Sequence, residues 1–520
     1  GNYRNPTNGY RPYIDMGAWI DHHLINVLTF NVDALRLSAF FYKQRDGKIH
    51  FGPLWDFDRA LNSTDGRDAN PRVWRSTSAD RGTDYFNDTT QAWWGRLFTD
   101  PDFYQEYIDR YQQLRAAEFS TTNLWRLTDD LANQVRKAQP REQARWGVTP
   151  RGGFQGEINS LKTWLSNRVN FMDSQYVAMP GFATPGQVVS SGYALTLTGP
   201  AGATICYTLD GTDPRLTGSA TGADISPKAI AYTGPIILNG NARVFARARD
   251  AAHTALTGAN NPPLKSIWSG PVVDTYVVNP FSLLVTEIMY HPAGDGTNSA
   301  FTGGDFEFVE LKNAGTTTIQ LPGFELDGSV KFTFTTTNKI KSLAPGERLV
   351  LAGNLAAFQT RYPAITNVAG EYHDKLDNGG GHLVLSGPLK EPVFDFHYED
   401  TWQTNTDGAG FSLVLRDETM KPGNLGSATN WTTSVNIGGS PGTAEPVANA
   451  QVRLNASASS TGITIRFTGI PGAQYVIQSR AQLGSGAWQN LRTIGTPANG
   501  IAEFTEPAGD TARFYRVTSP

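Results

Sequence analysis

Apolar and polar residues follow two different rhythms along this chain, and the change falls at about residue 180. In the first part the spacing is three and four. Ile20, Leu24, Ile25 and Leu28 mark one face of a helix expected over residues 15–31. Asp100-Pro101 supplies an N-cap and a first-turn proline for a second helix carrying Phe103, Tyr107, Tyr111 and Leu114. Further helices are expected over 121–138 and 157–175, the latter with Ile158, Leu161, Leu165 and Val169. One strand signal interrupts them. The runs Leu35–Lys43 and Lys48–Leu54 are joined by Gln44-Arg45-Asp46-Gly47, and Asp-Gly between apolar runs predicts a hairpin. Pairing Lys43 with Lys48 would set Leu35 opposite Asp56 and Asp33 opposite Asp58. Beyond residue 180 the period is two, as in Thr204–Leu209 and Val244–Ala248, and Gly, Thr and Pro become common.

Composition sharpens the boundary. Eight of the twelve Trp residues lie before residue 165, so the bulky core material is concentrated in the helical part. Length and pattern predict a multidomain chain in which a helix-rich region gives way to a series of β domains; the resemblances given below imply an α+β region followed by three all-β immunoglobulin-like sandwiches, with domains at 1–176, 177–280, 281–443 and 444–520. Segments 177–188 and 434–447 read as linkers, which suggests modules strung behind a helical domain. A net charge of −4 and pI near 6.1 give no electrostatic case for nucleic acid as a partner. No apolar run is long enough for a transmembrane helix. The single cysteine, Cys206, excludes an intrachain disulfide framework and a Cys-based zinc site, and is expected in a buried strand.

The candidate chemistry lies at the open end of the hairpin, where Asp33 precedes the first run and Trp55-Asp56-Phe57-Asp58 follows the second. Carboxylates gathered there would need a cation, a proton or a basic partner. A structural alternative is that they cap the hairpin, bonded to backbone or to Arg36 and Arg59. The Asp–hairpin–Trp-Asp-Phe-Asp arrangement resembles the C-lobe of the CotH family, the spore-coat-type atypical protein kinases. The resemblance implies that Asp33 orients or deprotonates an acceptor hydroxyl, and that Asp56 holds Mg²⁺ against the phosphates of ATP. Asp58 would be a second metal ligand or a structural acceptor. Phosphoryl transfer demands this division of positioning and charge neutralisation. Two departures stand out. Between Ala34 and Ala39 only Ser38 occupies the place of the metal-binding Asn of typical kinases. Upstream of Asp33 the only Arg or Lys residues are Arg4 and Arg11, and no glycine-rich loop is present. With Gly1 in place of Met, the expectation is a fragment or a processed chain holding the C-terminal part of the lobe.

The later segments carry further resemblances. Tyr207-Thr208-Leu209-Asp210-Gly211-Thr212-Asp213-Pro214 is similar to the β-sandwich at the C-terminus of chitobiase-type glycosidases, which implies an accessory module with Asp210 and Asp213 as turn residues. Thr286–Pro292, Asp305–Leu311, Leu343–Glu347 and Gly408–Leu413 resemble a lamin-tail domain. There Phe306, Phe308 and Leu311 are expected to alternate with solvent-facing Glu307 and Glu310. His291 with Glu287, Asp305 and Glu307 lacks the tight spacing of a metal site, and Asn378-Gly379-Gly380-Gly381 reads as a hairpin connection. Tyr475, Trp488 and Phe514–Val517 fit the core of a fibronectin-type domain, with turns at Gly484-Ser485-Gly486 and Ala498-Asn499-Gly500. Two functions follow. The first is a CotH-like kinase acting on Ser or Thr of surface or extracellular proteins. The second is a non-enzymatic extracellular scaffold or adhesion protein whose sandwiches bind protein or polysaccharide. Both place the chain outside the cell or at its surface. Glycoside hydrolysis ranks last, for want of a carboxylate pair on a catalytic scaffold.

Overall fold

The first helix forms over Met16–Thr29 because the Asp15 carboxylate accepts the Ala18 N–H at 2.8 Å and satisfies a free first-turn donor. Its buried surface is wider than the expected stripe: Val27, His22, His23 and Asn26 are buried beside Ile20, Leu24 and Leu28. The surrounding wall is aromatic. His23 sits among Tyr85, Phe86, Trp94, Phe98 and Tyr107, bonded to the Tyr107 hydroxyl at 3.0 Å and to the Tyr85 carbonyl at 2.8 Å. Burial pushes its pKa down to about 3, so it is a neutral packing residue. The expected later helices are present as Pro101–Ala116, Thr121–Val135 and Gly153–Asp173. In this computed structural model the described residues are 2–77, 79–87, 93–253, 261–294, 300–445, 454–459, 462–469, 474–482, 487–497, 500–507 and 513–518.

The hairpin is present but shorter and shifted. Phe41–Lys43 pairs with Ile49–Phe51 so that Phe41 faces Phe51 and Lys43 faces Ile49, one step from the expected register. A one-residue slip sends a strand's side chains to the opposite face. Phe41 and Phe51 stack at 4.4 Å, and both meet Trp19 of the first helix in the observed register. The ladder stops there, so Asp33 and Asp58 are not cross-strand partners.

Residues 1–278 form one compact unit, so the helical region and the first β region pack together instead of being strung on a free linker. The first β region holds a four-stranded sheet ordered Val272–Tyr276, Ala242–Arg249, Thr204–Thr208, Ile230–Ala231, with Cys206 buried in it as expected. Segment 177–188 contributes to the fold, since Gly181–Phe182 pairs with Leu197–Thr198. Asp210 and Asp213 do accept turn N–H groups, from Thr212 at 3.1 Å and Arg215 at 2.8 Å. Asp213 does more. The Arg247 guanidinium, 3% exposed, forks to Asp213 at 2.8 and 2.7 Å and to Asp109 of helix Pro101–Ala116 at 2.6 and 2.7 Å. Arg215 reaches Asp102 on the same helix at 2.6 Å. The sandwich is therefore bolted to the helix by buried arginines with filled hydrogen-bond positions.

The second unit spans residues 279–520. A six-stranded sheet runs Val368–Glu371, Arg348–Ala352, Phe308–Asn313, Leu283–Met289, Leu413–Leu415, Trp431–Thr433. A five-stranded sheet runs His373–Asp374, Val330–Thr333, Glu325–Gly328, Gly380–Ser386, Pro392–Glu399. Their facing side chains form the core around Leu283, Val309, Leu326, Leu385 and Trp431. Four expectations are corrected here. Glu307 and Glu310 are not solvent-facing but 3% and 1% exposed: Tyr372 and the Leu376 backbone close on Glu307, and Thr286, Arg348 and the Gly442 backbone close on Glu310. The Asn378–Gly381 segment is not a hairpin connection, because the strands it joins are separated by two others in the sheet. The segment read as a linker at 434–447 is tied down in its described part. Ser440 N–H donates to Glu287 at 2.9 Å and Gly442 N–H to Glu310 at 2.6 Å, two carboxylates that face each other across adjacent strands. Two three-stranded sheets close the chain around Ile465, Phe467, Tyr475 and Ile477. Trp488 is not in that core: it lies between the Arg480 and Arg516 guanidiniums, 4.4 and 4.6 Å from its ring. The expected turns at Gly484-Ser485-Gly486 and at Ala498-Asn499 lie outside the described residues.

Candidate active site

The chain leaves the first helix through Phe30, whose φ of 54° is left-handed and strained for a bulky residue. Neighbours hold it there. The buried Arg168 guanidinium lies 4.7 Å from the Phe30 ring and donates to the Val27 carbonyl through Nε at 3.0 Å and Nη2 at 2.5 Å. Its Nη1 reaches the Val73 carbonyl at 2.6 Å. A cation on the last carbonyls of a helix also complements the helix dipole. Burial pushes Arg168 down to about 10, and it stays charged at neutral pH. The chain then winds tightly: the Asp33 carbonyl accepts N–H bonds from Arg36, Leu37 and Ser38 at 3.3, 3.0 and 3.3 Å. The Tyr85 hydroxyl donates to the Asn31 carbonyl at 2.9 Å. Gly82 lies so close that a Cβ there would stand 1.8 Å from the Val32 carbonyl oxygen. Asp33 is thus presented by a loop fixed from three sides.

Asp56 is brought to this loop by the return strand. Its own φ is 62°, a second left-handed non-glycine residue. Two side chains stitch it in place: Ser38 Oγ donates to its Oδ2 at 3.1 Å, and Asn31 Nδ2 to its carbonyl at 3.2 Å. Ser38 therefore touches both elements, with its N–H on Asp33 and its hydroxyl on Asp56. Asp58 is exposed and makes no hydrogen bond or ion pair with the described residues. Asp33 and Asp56 are joined, while Asp58 stands apart.

The charge of Asp33 is balanced by arginines. Arg67 Nη2 lies 3.3 Å from Oδ1 and Arg59 Nη1 3.5 Å from Oδ2. Arg67 also bonds Asp65 through Nε at 2.5 Å and stands 3.6 Å from Asp80. Its hydrogen bond holds Asp65 below the usual carboxylate range. Of the two arginines named as alternative partners, Arg59 reaches Asp33, whereas the hub is Arg67. Nothing in the sequence singled out Arg67, because it sits in a polar loop with no periodic pattern. Asp65 and Asp80 were missed for the same reason.

Among the described residues no three His, Cys, Asp or Glu side chains gather as a metal-holding group. The donor set of Asp56 carboxylate and Ser38 hydroxyl is nonetheless of the hard-oxygen kind that suits Mg²⁺, which commonly takes one or two carboxylates and keeps its waters.

Comparison with known proteins divides the chain in the same order. Residues 2–172 match the CotH kinase protein family, residues 184–257 the chitobiase/beta-hexosaminidase C-terminal domain, and residues 279–398 the lamin tail domain. No curated protein matches the chain. A crystal structure of a DUF4876 family protein from Bacteroides thetaiotaomicron VPI-5482 is similar at 12% identity and a TM-score of 0.20, covering 51% of this chain and 95% of that one.

Proposed function

We propose that the CotH-matching region is the C-terminal lobe of an atypical protein kinase, and that its site is centred on Asp33 and Asp56. The observation that carries this reading is the joining of the two aspartates through Asn31 and Ser38 on a braced, strained loop. In this reading the Asp33 carboxylate orients the acceptor hydroxyl of a Ser or Thr and accepts its proton. Asp56 and Ser38 would hold Mg²⁺, with Asp58 as a further carboxylate; the metal, when bound, neutralises charge on the ATP phosphates. Arg59 and Arg67 hold the Asp33 carboxylate in place through ion pairs. The acceptors would be surface or extracellular proteins, reached by a chain in which no described helix is long and apolar enough to cross a membrane.

The ion pairs on Asp33 favour a second reading, in which the lobe is structural and the chain a scaffold. Thermal unfolding with and without Mg²⁺-ATP separates the two. The kinase reading expects a stabilisation of about 2.7 kcal/mol at a hundredfold excess over Kd, absent in Asp56→Ala. Asp33→Asn should keep that stabilisation and lose transfer by a factor of about 10² to 10⁴. No shift with native protein favours the scaffold.

A further inference from the structure

In the second unit a cavity of about 800 Å³ opens beside the lamin-tail strands, and apart from Leu376 its lining lies outside the hydrophobic core. Four separate segments build it. His291 follows strand Leu283–Met289, Glu307 follows the short turn Gly303–Phe306, Lys375, Asp377 and Asn378 come from the connection between the five-stranded sheet's strands, and Gly408 closes it. Gly408 has a φ of 78°, and a Cβ there would approach the His291 ring to 3.2 Å.

Glu307 is the informative residue. It is 3% exposed, and its Oε2 already accepts the Leu376 N–H at 2.9 Å and the Tyr372 hydroxyl at 3.3 Å. Its Oε1 accepts no hydrogen bond among the described residues and is not closed off from solvent, so it opens to the cavity that the side chain lines. A carboxylate oxygen so placed accepts a bond from whatever donor enters the cavity. On another wall His291 Nδ1 stands 2.6 Å from Asp407 Oδ1. A carboxylate only accepts, so in the neutral ring Nδ1 carries the proton and Nε2 is left as an acceptor.

We infer that this cavity is a binding site for a neutral, hydroxyl-rich ligand, a saccharide unit by chemical class. An anion would meet the carboxylates of Glu307 and Asp377 against one lysine. A cationic ligand would meet Lys375, and an apolar one would strip water from a polar lining without replacing its bonds. Hydroxyls both donate and accept. They satisfy Glu307 Oε1, Asp377 and the imidazole as donors, and Lys375 and the Asn378 amide as acceptors. The volume falls in the range of small-ligand sites.

The test uses the full chain, in saturation-transfer NMR and calorimetric titration with neutral cellotriose, xylotriose and N-acetylchitotriose. Trigalacturonate and the glucosamine trimer serve as charged counterparts. At least one neutral trisaccharide is expected to bind. Lys375→Ala with Asn378→Ala, both at exposed positions, should weaken it at least tenfold with the unfolding midpoint unchanged. Glu307→Gln, which preserves shape in the buried position, should weaken it as well. Failure of all three neutral sugars to bind would overturn the inference. So would native affinity in the double variant, or tighter binding of a charged trimer. None of these readouts involves nucleotide, so the inference stands apart from the kinase reading.

Discussion

Glu287 and Glu307 are acids in largely buried positions. Burial pushes Glu287 up to about 8 and Glu307 up to about 7, from an ordinary value of 4.5, and the nearby Glu310 carboxylate adds to the rise of Glu287. The folded chain therefore binds more protons than the unfolded chain in this interval. The stability these groups contribute is fully present below about pH 4.5 and declines as pH rises to about 8. Glu287→Gln, which keeps the bond from Ser440 N–H but cannot ionise, is expected to flatten that decline. Urea unfolding at several pH values across the window measures it. A second residue-scale prediction concerns Gly82. Its alanine variant would press a methyl group into the Val32 carbonyl, so a loss of about 1–3 kcal/mol is expected. The Asp33 loop should shift with it, and the response to Mg²⁺-ATP should fall more than stability does.

At the scale of elements, helix Pro101–Ala116 serves two sides. Phe103, Tyr107 and Tyr111 pack into the aromatic core, while Asp102, Gln105, Asp109 and Gln112 face the sandwich. The apolar side was legible as a helical stripe. The polar side read as ordinary solvent surface, because Asp109 announces its partner only when Arg247 arrives from 138 residues away. Removing one partner of a buried ion pair leaves the others uncompensated, so Arg247→Ala is expected to lose about 3–5 kcal/mol in denaturant unfolding. Arg247→Lys should recover little of it, because an ammonium cannot fork to two carboxylates.

For the whole molecule, Leu264 of the first β region packs against the core of the helical region, and the arginine bolts cross the same boundary. A protein of residues 1–278 is therefore expected to unfold as one transition. Residues 1–176 alone should lose that transition and expose backbone amides along Pro101–Ala116 to hydrogen exchange. Independent folding of 1–176 with native protection would contradict the bolted arrangement.

Local chemistry was enough to locate the four long helices, to place Cys206 in a buried strand and to find the hairpin that Asp33 and Asp56 flank. Periodicity, caps and turn residues act within a few positions of one another, and the motif residues flank a single hairpin. The register, the burial of Glu307 and Glu310, the arginine hub at Arg67, the anchoring of Ser440 and Gly442 and the polar cavity at His291 were decided by tertiary structure alone. Each depends on a partner contributed by a distant segment: Phe51 against Trp19, Tyr372 and Leu376 closing on Glu307, or a carboxylate meeting a backbone N–H more than a hundred residues on. Charge and burial are properties of the assembled surroundings, and no local pattern carries them.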